Sequence, residues 1–259
     1  MTLPLSVFII TKNEEDRLPR AIASVQGLTD DIVVVDSGSA DNTVKIAESL
    51  GARVFFHEWK GYGPQKCYAE TLCKHHWLLN VDADEELSPA LAEEIRALFA
   101  GGEPRKSCFA LDIRMVLPHE SMPRRFAARN RVKRLYDLRR AGFKDSPVHD
   151  SVVVKDGSEA PVLQHPVYHR SFRGLHHEVE KINRYSTMQA EDLVARGKHY
   201  SALRLIAEPF GAFFKAYFIR RYFAYGVEGF TQSIMYTFAR TLRLAKAREC
   251  WLKTRSHSL

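Results

Sequence analysis

Short apolar runs alternate with segments of helical spacing over the first hundred residues. Residues 5–10, 32–35, 54–56 and 77–81 are apolar or nearly so, of strand length, and rich in branched and aromatic side chains. Between them, Leu18, Ala21, Ile22 and Val25 recur at helical spacing behind a potential cap at Asn13, with Glu14, Glu15 and Asp16 in the first turn. Asp41 can cap a helix with Val44, Ala47 and Leu50 on one face. The segment KGYGP leads into a helix over 65–76, and Ser88 with Pro89 opens another with Leu91, Ile95 and Leu98 inward. This rhythm predicts right-handed crossovers and an α/β fold, a mainly parallel sheet with helices on both faces. Ligands in such sheets bind beyond the carboxyl ends of the strands. TKNE, DSGS and DADE each follow a strand directly, so one sheet edge should gather them.

From Cys108 the period changes. Phe109, Leu111, Ile113 and Met115 alternate with Ala110, Asp112 and Arg114, the mark of a half-exposed strand. Further strands are expected at 132–136, 152–154 and 162–167. A helix is expected over 175–196, with Val179, Ile182, Tyr185 and Met188 or Gln189 near one stripe. Beyond Pro209 the chain turns aromatic: 11 of its 28 aromatic residues lie between Phe210 and Phe238, interleaved with Lys215, Arg220, Arg221 and Arg240. Phe210, Phe213, Phe214, Tyr217 and Phe218 fall at helical spacing, and Arg240, Arg243, Lys246 and Arg248 follow. Such a helix can lie in the interface of an anionic bilayer, or its stripe can pack on the domain or on another copy.

Charge divides the chain further. Residues 1–100 carry 9 Lys+Arg against 16 Asp+Glu, residues 101–144 carry 12 against 4, and the last 59 carry 10 against 3. Anionic partners are therefore expected at the second half. The basic middle (Arg124, Arg125, Arg129, Arg131, Lys133, Arg134) has only Phe126 and Tyr136 interleaved, too few stacking partners for a nucleic-acid surface, so no nucleic acid is expected; a phosphorylated acceptor, a membrane or a solvated loop fits the charge. The longest stretches free of acid and base are 11 residues, short of the ~20 that a spanning helix needs. No secretory pattern is read at the N-terminus, and the four cysteines show no paired spacing, so a reducing cytoplasm is expected.

The candidate chemistry is carboxylate chemistry. Asp82 and Asp84 lie on one side of an extended chain after a buried strand and offer the oxygen ligands that Mg²⁺ or Mn²⁺ shares with phosphates. The same DADEE run can also be an acidic turn before the Ser88 helix. Asp36 can accept from a ribose or base, and Gly38 lets backbone N–H groups approach a ligand. Thr11, Asn13 and Glu14 can be ligand contacts or a capping cluster. Absence of GxGxxG and of GxxxxGK[ST] argues against dinucleotide and P-loop enzymes.

The ordered series strand-TKNE, strand-VVVDSGSADNT, GYGPQK and strand-NVDADE resembles the nucleotide-sugar domain of the family 2 glycosyltransferases, which adopt the GT-A fold. Beyond it, VHD at 148–150, LQHPVYHRS and EKINRYSTMQA are similar to the bacterial branch that builds the lipopolysaccharide inner core. The resemblance implies a GT-A glycosyltransferase domain over 1–200, with a nucleotide-sugar half (1–100) and an acceptor half (101–200), followed by a helical, membrane-associating tail over 201–259. It implies inverting transfer of a hexose, glucose in that branch, from a nucleotide sugar, UDP-linked, to a lipid-linked saccharide acceptor, a core heptose. The enzyme would sit on the inner face of the cytoplasmic membrane, against its anionic surface. Carried over by motif, Thr11, Asn13, Glu14 and Asp36 would contact the uridine, Asp82 the ribose, Lys66 the nucleotide or diphosphate, and Asp84 the divalent metal (Mn²⁺ or Mg²⁺). Asp150, where the branch often has Glu, would be the base, with Asp145 as competitor. His165 would ligate the metal or touch the diphosphate. A nucleotidyltransferase and a nucleic-acid-binding protein are the alternative readings.

Overall fold

Leu5–Thr11 (β1) and Asp31–Asp36 (β2) are buried along nearly their whole length and pair in parallel, Val7 opposite Ile32 and Thr11 opposite Asp36. Arg53–Phe56 (β3) extends this parallel set beyond β2, and Trp77–Asn80 (β4) lies on the other side of β1. Side chains alternate between two buried layers, as the pleat requires. Leu5, Val7, Ile9, Val34 and Leu79 meet Leu18 and Ile22 of α1 (Leu18–Val25), Ala47 of α2 (Thr43–Ser49), and Leu91 and Ile95 of α4 (Pro89–Leu98). Phe8, Val33, Val35 and Leu78 form the opposite layer with Ala69 of α3 (Tyr62–Leu72). The helix-covered sheet expected from the sequence is thus present, and Ser88 caps α4 by accepting from Leu91 N at 3.2 Å.

Beyond β4 the sheet is mixed rather than continuing in parallel. Glu85–Leu87 (β5), Cys108–Met115 (β6), Asn130–Asp137 (β7) and Val162–His169 (β10) complete the order β3-β2-β1-β4-β7-β6-β10-β5. β7 runs antiparallel to both β4 and β6, and β5 runs antiparallel to β10, with Glu85 opposite His169. The parallel ladder of β10 with β6 skips register between Val162 and Pro166. Ala141–Phe143 (β8) and Val152–Val154 (β9) form a separate two-stranded sheet. β5 and β8, of sequence EEL and AGF, lack the run of branched side chains that made the equally short β9, VVV, legible.

The computed structural model describes residues 2–117, 119–146, 150–198 and 200–256. Two compact units are present: Met1–Met122 with Arg129–Ser171, and Pro123–Ala128 with Phe172–Leu259. The second contains α5 (Leu175–Ala195), α6 (Ala202–Phe214), a π-helical turn over Lys215–Ile219, a 3₁₀ turn over Tyr222–Tyr225, and α7 (Gly226–Ser256). Residue 200, the expected domain end, falls between α5 and α6. In α5 it is the small residues Ser186 and Ala190 that are buried, whereas Val179, Tyr185 and Met188 of the expected stripe are exposed. Lys246 on α7 donates to Asn183 O at 2.7 Å and Thr187 Oγ1 at 2.8 Å, satisfying that seam. Among the described residues no helix is long and apolar enough to cross a membrane.

Candidate active site

Because β2, β1 and β4 are adjacent and parallel, the segments that follow Asp36, Thr11 and Asn80 emerge at one edge. The first two are laced together. Asn13 Oδ1 accepts from Ala40 N at 2.8 Å, Asn13 N donates to Ser39 Oγ at 2.8 Å, and Glu14 N donates to Thr43 Oγ1 at 2.8 Å. Ser37 N donates to Thr11 O at 3.0 Å. Asn13 is left-handed, φ 55°, and so cannot open a helix; α1 starts five residues later at Leu18. Asp36 turns its carboxylate back into its own loop. Oδ2 accepts from Gly38 N and Ser39 N, both at 2.8 Å, and Oδ1 accepts from Ser39 Oγ. Gly38 at φ 89° makes that turn possible. Thr11 Oγ1 is buried at this edge without a hydrogen-bond partner among the described residues.

The acidic segment after β4 divides its two aspartates between two networks. Asp82 is held by bases: Arg134 donates to both its oxygens, at 3.2 and 2.6 Å, and Lys66 Nζ lies 3.1 Å from Oδ1. Burial alone would raise the Asp82 pKa, but the charges of Arg134 and Lys66 outweigh it and hold the carboxyl well below its ordinary value. Burial pushes neighbouring Glu85 up; the charge of Arg134 opposes this and that of Asp82 adds to it. Arg134 comes from β7, where pairing with β4 sets it beside Asn80, whose side chain it also contacts. In the sequence it looks like one arginine among a solvated group; only the pairing of β7 with β4 reveals it as buried. Lys66, on α3 and 1% exposed, also donates to Asp150 Oδ2 at 2.7 Å. α3 approaches this closely because residue 63 is glycine: its N donates to Ser146 O at 3.2 Å, and a Cβ there would overlap the Lys144 and Ser146 backbone.

Asp84 belongs to the second network. Its Oδ2 lies 3.2 Å from His169 Nε2 and 3.3 Å from Arg17 Nη1, and Arg17 pairs in turn with Glu14 at 2.6 Å. Burial opposes the His169 imidazolium, yet the hydrogen bond and charge of Asp84 outweigh it and raise the pKa. The same contact, with Arg17, lowers Asp84 despite its burial. The histidine brought to Asp84 is therefore His169, not the expected His165. His165, four residues earlier on β10, is half exposed and lies 2.9 Å from Glu94 Oε2 on α4. Asp145 is exposed, whereas Asp150 is anchored with a third of its side chain exposed, 34%. Val148 and His149 of the VHD motif lie outside the described residues.

No group of three or more His, Cys, Asp or Glu among the described residues could hold a metal alone. The Asp84 carboxylate is a hard oxygen donor that suits Mn²⁺ or Mg²⁺ when phosphates and water supply the remaining ligands, and the His169 imidazole, 3.2 Å from it, is a borderline nitrogen donor better matched to Mn²⁺ than to Mg²⁺. The residues thus fit an ion shared with a ligand rather than one caged by protein.

Similarity to known proteins places the chain at the level of family. The family described as Glycosyl transferase family 2 matches residues 6–160. An uncharacterised glycosyltransferase of Rickettsia conorii is 46% identical over 99% of this chain and 94% of its own length. The lipopolysaccharide core biosynthesis glycosyltransferase LpsC of Rhizobium meliloti is 29% identical over 90% of this chain and 87% of its own. Among solved structures, S. aureus TarS 1–349 aligns over 99% of this chain and 92% of its own, at 15% identity and a TM-score of 0.45. With its family match spanning more than half its length and a relative of such identity over nearly all of it, the chain belongs to glycosyltransferase family 2.

Proposed function

We propose that this glycosyltransferase is inverting, moves a hexose, glucose, from a UDP-linked donor, and delivers it to a lipid-linked saccharide, a lipopolysaccharide core heptose. The observation that carries the reading is the convergence on one sheet edge of the TKNE and DSGS loops, the Asp84–His169 pair and the Lys66–Asp150 pair. Similarity to LpsC supports the acceptor class. Family membership decides against the nucleotidyltransferase alternative.

Thr11, Asn13, Glu14 and Asp36 would line the nucleoside end, Asp36 by shaping the turn whose backbone meets the base. Asp82 would face the ribose while Arg134 and Lys66 fix its orientation. Asp84 and His169 would hold the divalent ion, which when bound neutralises charge on the departing diphosphate. Arg17 would add positive charge at the same place. Asp150 would take the proton of the attacking hydroxyl as the sugar passes through an oxocarbenium-like transition state. Lys66 holds one oxygen of Asp150 and so limits the directions in which the carboxylate can point. Peripheral attachment at the inner face of the cytoplasmic membrane completes the proposal.

Thermal denaturation with UDP, UDP-glucose and other nucleotide sugars, with and without Mn²⁺, tests it. Ligand at a hundred times its Kd adds about 2.7 kcal/mol, a Tm rise of about 5–10 °C. Asp84→Asn should erase the Mn²⁺-dependent part of the shift, and Asp150→Asn should keep the shift but abolish transfer. A chain indifferent to every nucleotide, or an Asp150→Asn enzyme with full turnover, would refute the respective assignment.

A further inference from the structure

The helical second unit carries an apolar surface made mostly of phenylalanine. Along α6 and the π turn, Ile206, Phe210, Phe214 and Phe218 are all more than half exposed. Four-residue steps drift about 40° each on an α-helix of 3.6 residues per turn. The wider turn over Lys215–Ile219 rotates less per residue, offsets that drift, and keeps Phe218 near the line of Phe214. Ring contacts make the surface continuous across α7: Phe214 meets Phe218 at 5.0 Å, Phe218 meets Tyr217 at 5.1 Å, and Tyr217 meets Phe230 at 6.2 Å. The buried side of the same helix is small, Ala212 and Ala216. The ring contacts of Phe214 and Phe218 stay within their own helical segment, so these two rings are not what joins it to α7.

Charge around the patch is predominantly positive. Between residues 209 and 248 there are seven bases and a single acid, Glu228. Lys215, Arg220 and Arg221, beside the aromatic patch, are exposed. Glu208, which would otherwise oppose them, is already bound to Arg204 at 3.2 Å and Arg240 at 2.7 Å. A second copy docking symmetrically would bring the same bases against these. An anionic bilayer answers both features, accepting the rings at its interface and the bases at its headgroups.

We propose that Phe214, Phe218 and Phe230 insert into the interface of an anionic bilayer, with Lys215, Arg220 and Arg221 on its headgroups. This deepens the localisation proposed above and rests on it, naming the docking surface and the lipid charge it reads.

The test is flotation of the full chain with vesicles of phosphatidylcholine alone or mixed with phosphatidylglycerol. The wild type should float with the mixed vesicles and much less with phosphatidylcholine. Phe214→Ser with Phe218→Ser should lose at least about tenfold in partitioning. Lys215→Glu with Arg221→Gln should lose at least about fivefold on anionic vesicles. The UDP-induced thermal shift, read on the same samples, should be unchanged in both variants, which separates failure of this surface from failure of the donor site. Wild-type flotation that ignores phosphatidylglycerol, or a double-Ser variant that floats equally well, overturns the proposal. So does a dimer that the double-Ser variant dissolves while no vesicle binding is seen.

Discussion

Replacing Lys66, itself 1% exposed, by Met removes the cation between Asp82 and Asp150. If Lys66 positions the base, kcat should fall by about a hundredfold or more while KM for the donor changes little, since general-base catalysis is worth that much. A merely structural lysine would instead lower thermal stability and leave the folded fraction with normal kcat. Thermal melts and steady-state kinetics on Lys66→Met and Lys66→Arg separate the two. Legibility at this scale followed chain locality. Asp36, Asp82 and Asp84 could be singled out because each stands at the end of an apolar run. Arg134 and Arg17 could not, since their partners are 52 and 67 positions away and reached only through sheet pairing. His165 and His169 look equivalent in sequence; the ladder of β10 with β5 brings only the second to Asp84.

The strands are tied together at the end opposite the site. Asp31, the first residue of β2, accepts from Ser6 Oγ of β1 at 2.5 Å, from Lys74 N before β4 at 2.8 Å, and from Arg53 Nε of β3 at 2.9 Å. Burial would raise its pKa, but these donors outweigh it and lower the value. Its contribution is therefore complete above the unfolded-state value of about 3.9 and is lost as pH falls through the lower native value. Asp31→Asn should cost about 2–3 kcal/mol at pH 7, the worth of hydrogen bonds to a buried charge. Urea titrations should show the gap from wild type narrowing below about pH 4; a gap independent of pH would dismiss the ionised form as the stabilising one. Most elements longer than about six residues in the first unit were legible by pattern, whereas α7, the longest helix, was not read from its period. The starts of α1 and α3 were displaced, because Asn13 is spent on loop contacts and because α3 begins directly after Gly61 in the KGYGP segment.

At the scale of the molecule, the acidic first hundred residues lie in the first unit and the basic last 59 in the second. The sequence could not place the boundary, because residues 123–128 join the helical unit across an intervening stretch of sheet. A further consequence attaches to the short pairing of β5 with β10, only three residue pairs long. It makes the site sensitive to the parity of the chain rather than to its length. One residue inserted between Pro166 and His169 would swing the imidazole to the far face, and two would restore its side but carry it about 7 Å along the strand. One inserted just before Pro166 enters the stretch where the ladder already skips, and leaves His169 where it is. Mn²⁺-dependent UDP binding should survive only that last insertion: descendants of this chain are free to lengthen the approach to the strand, but its final four positions must stay in count.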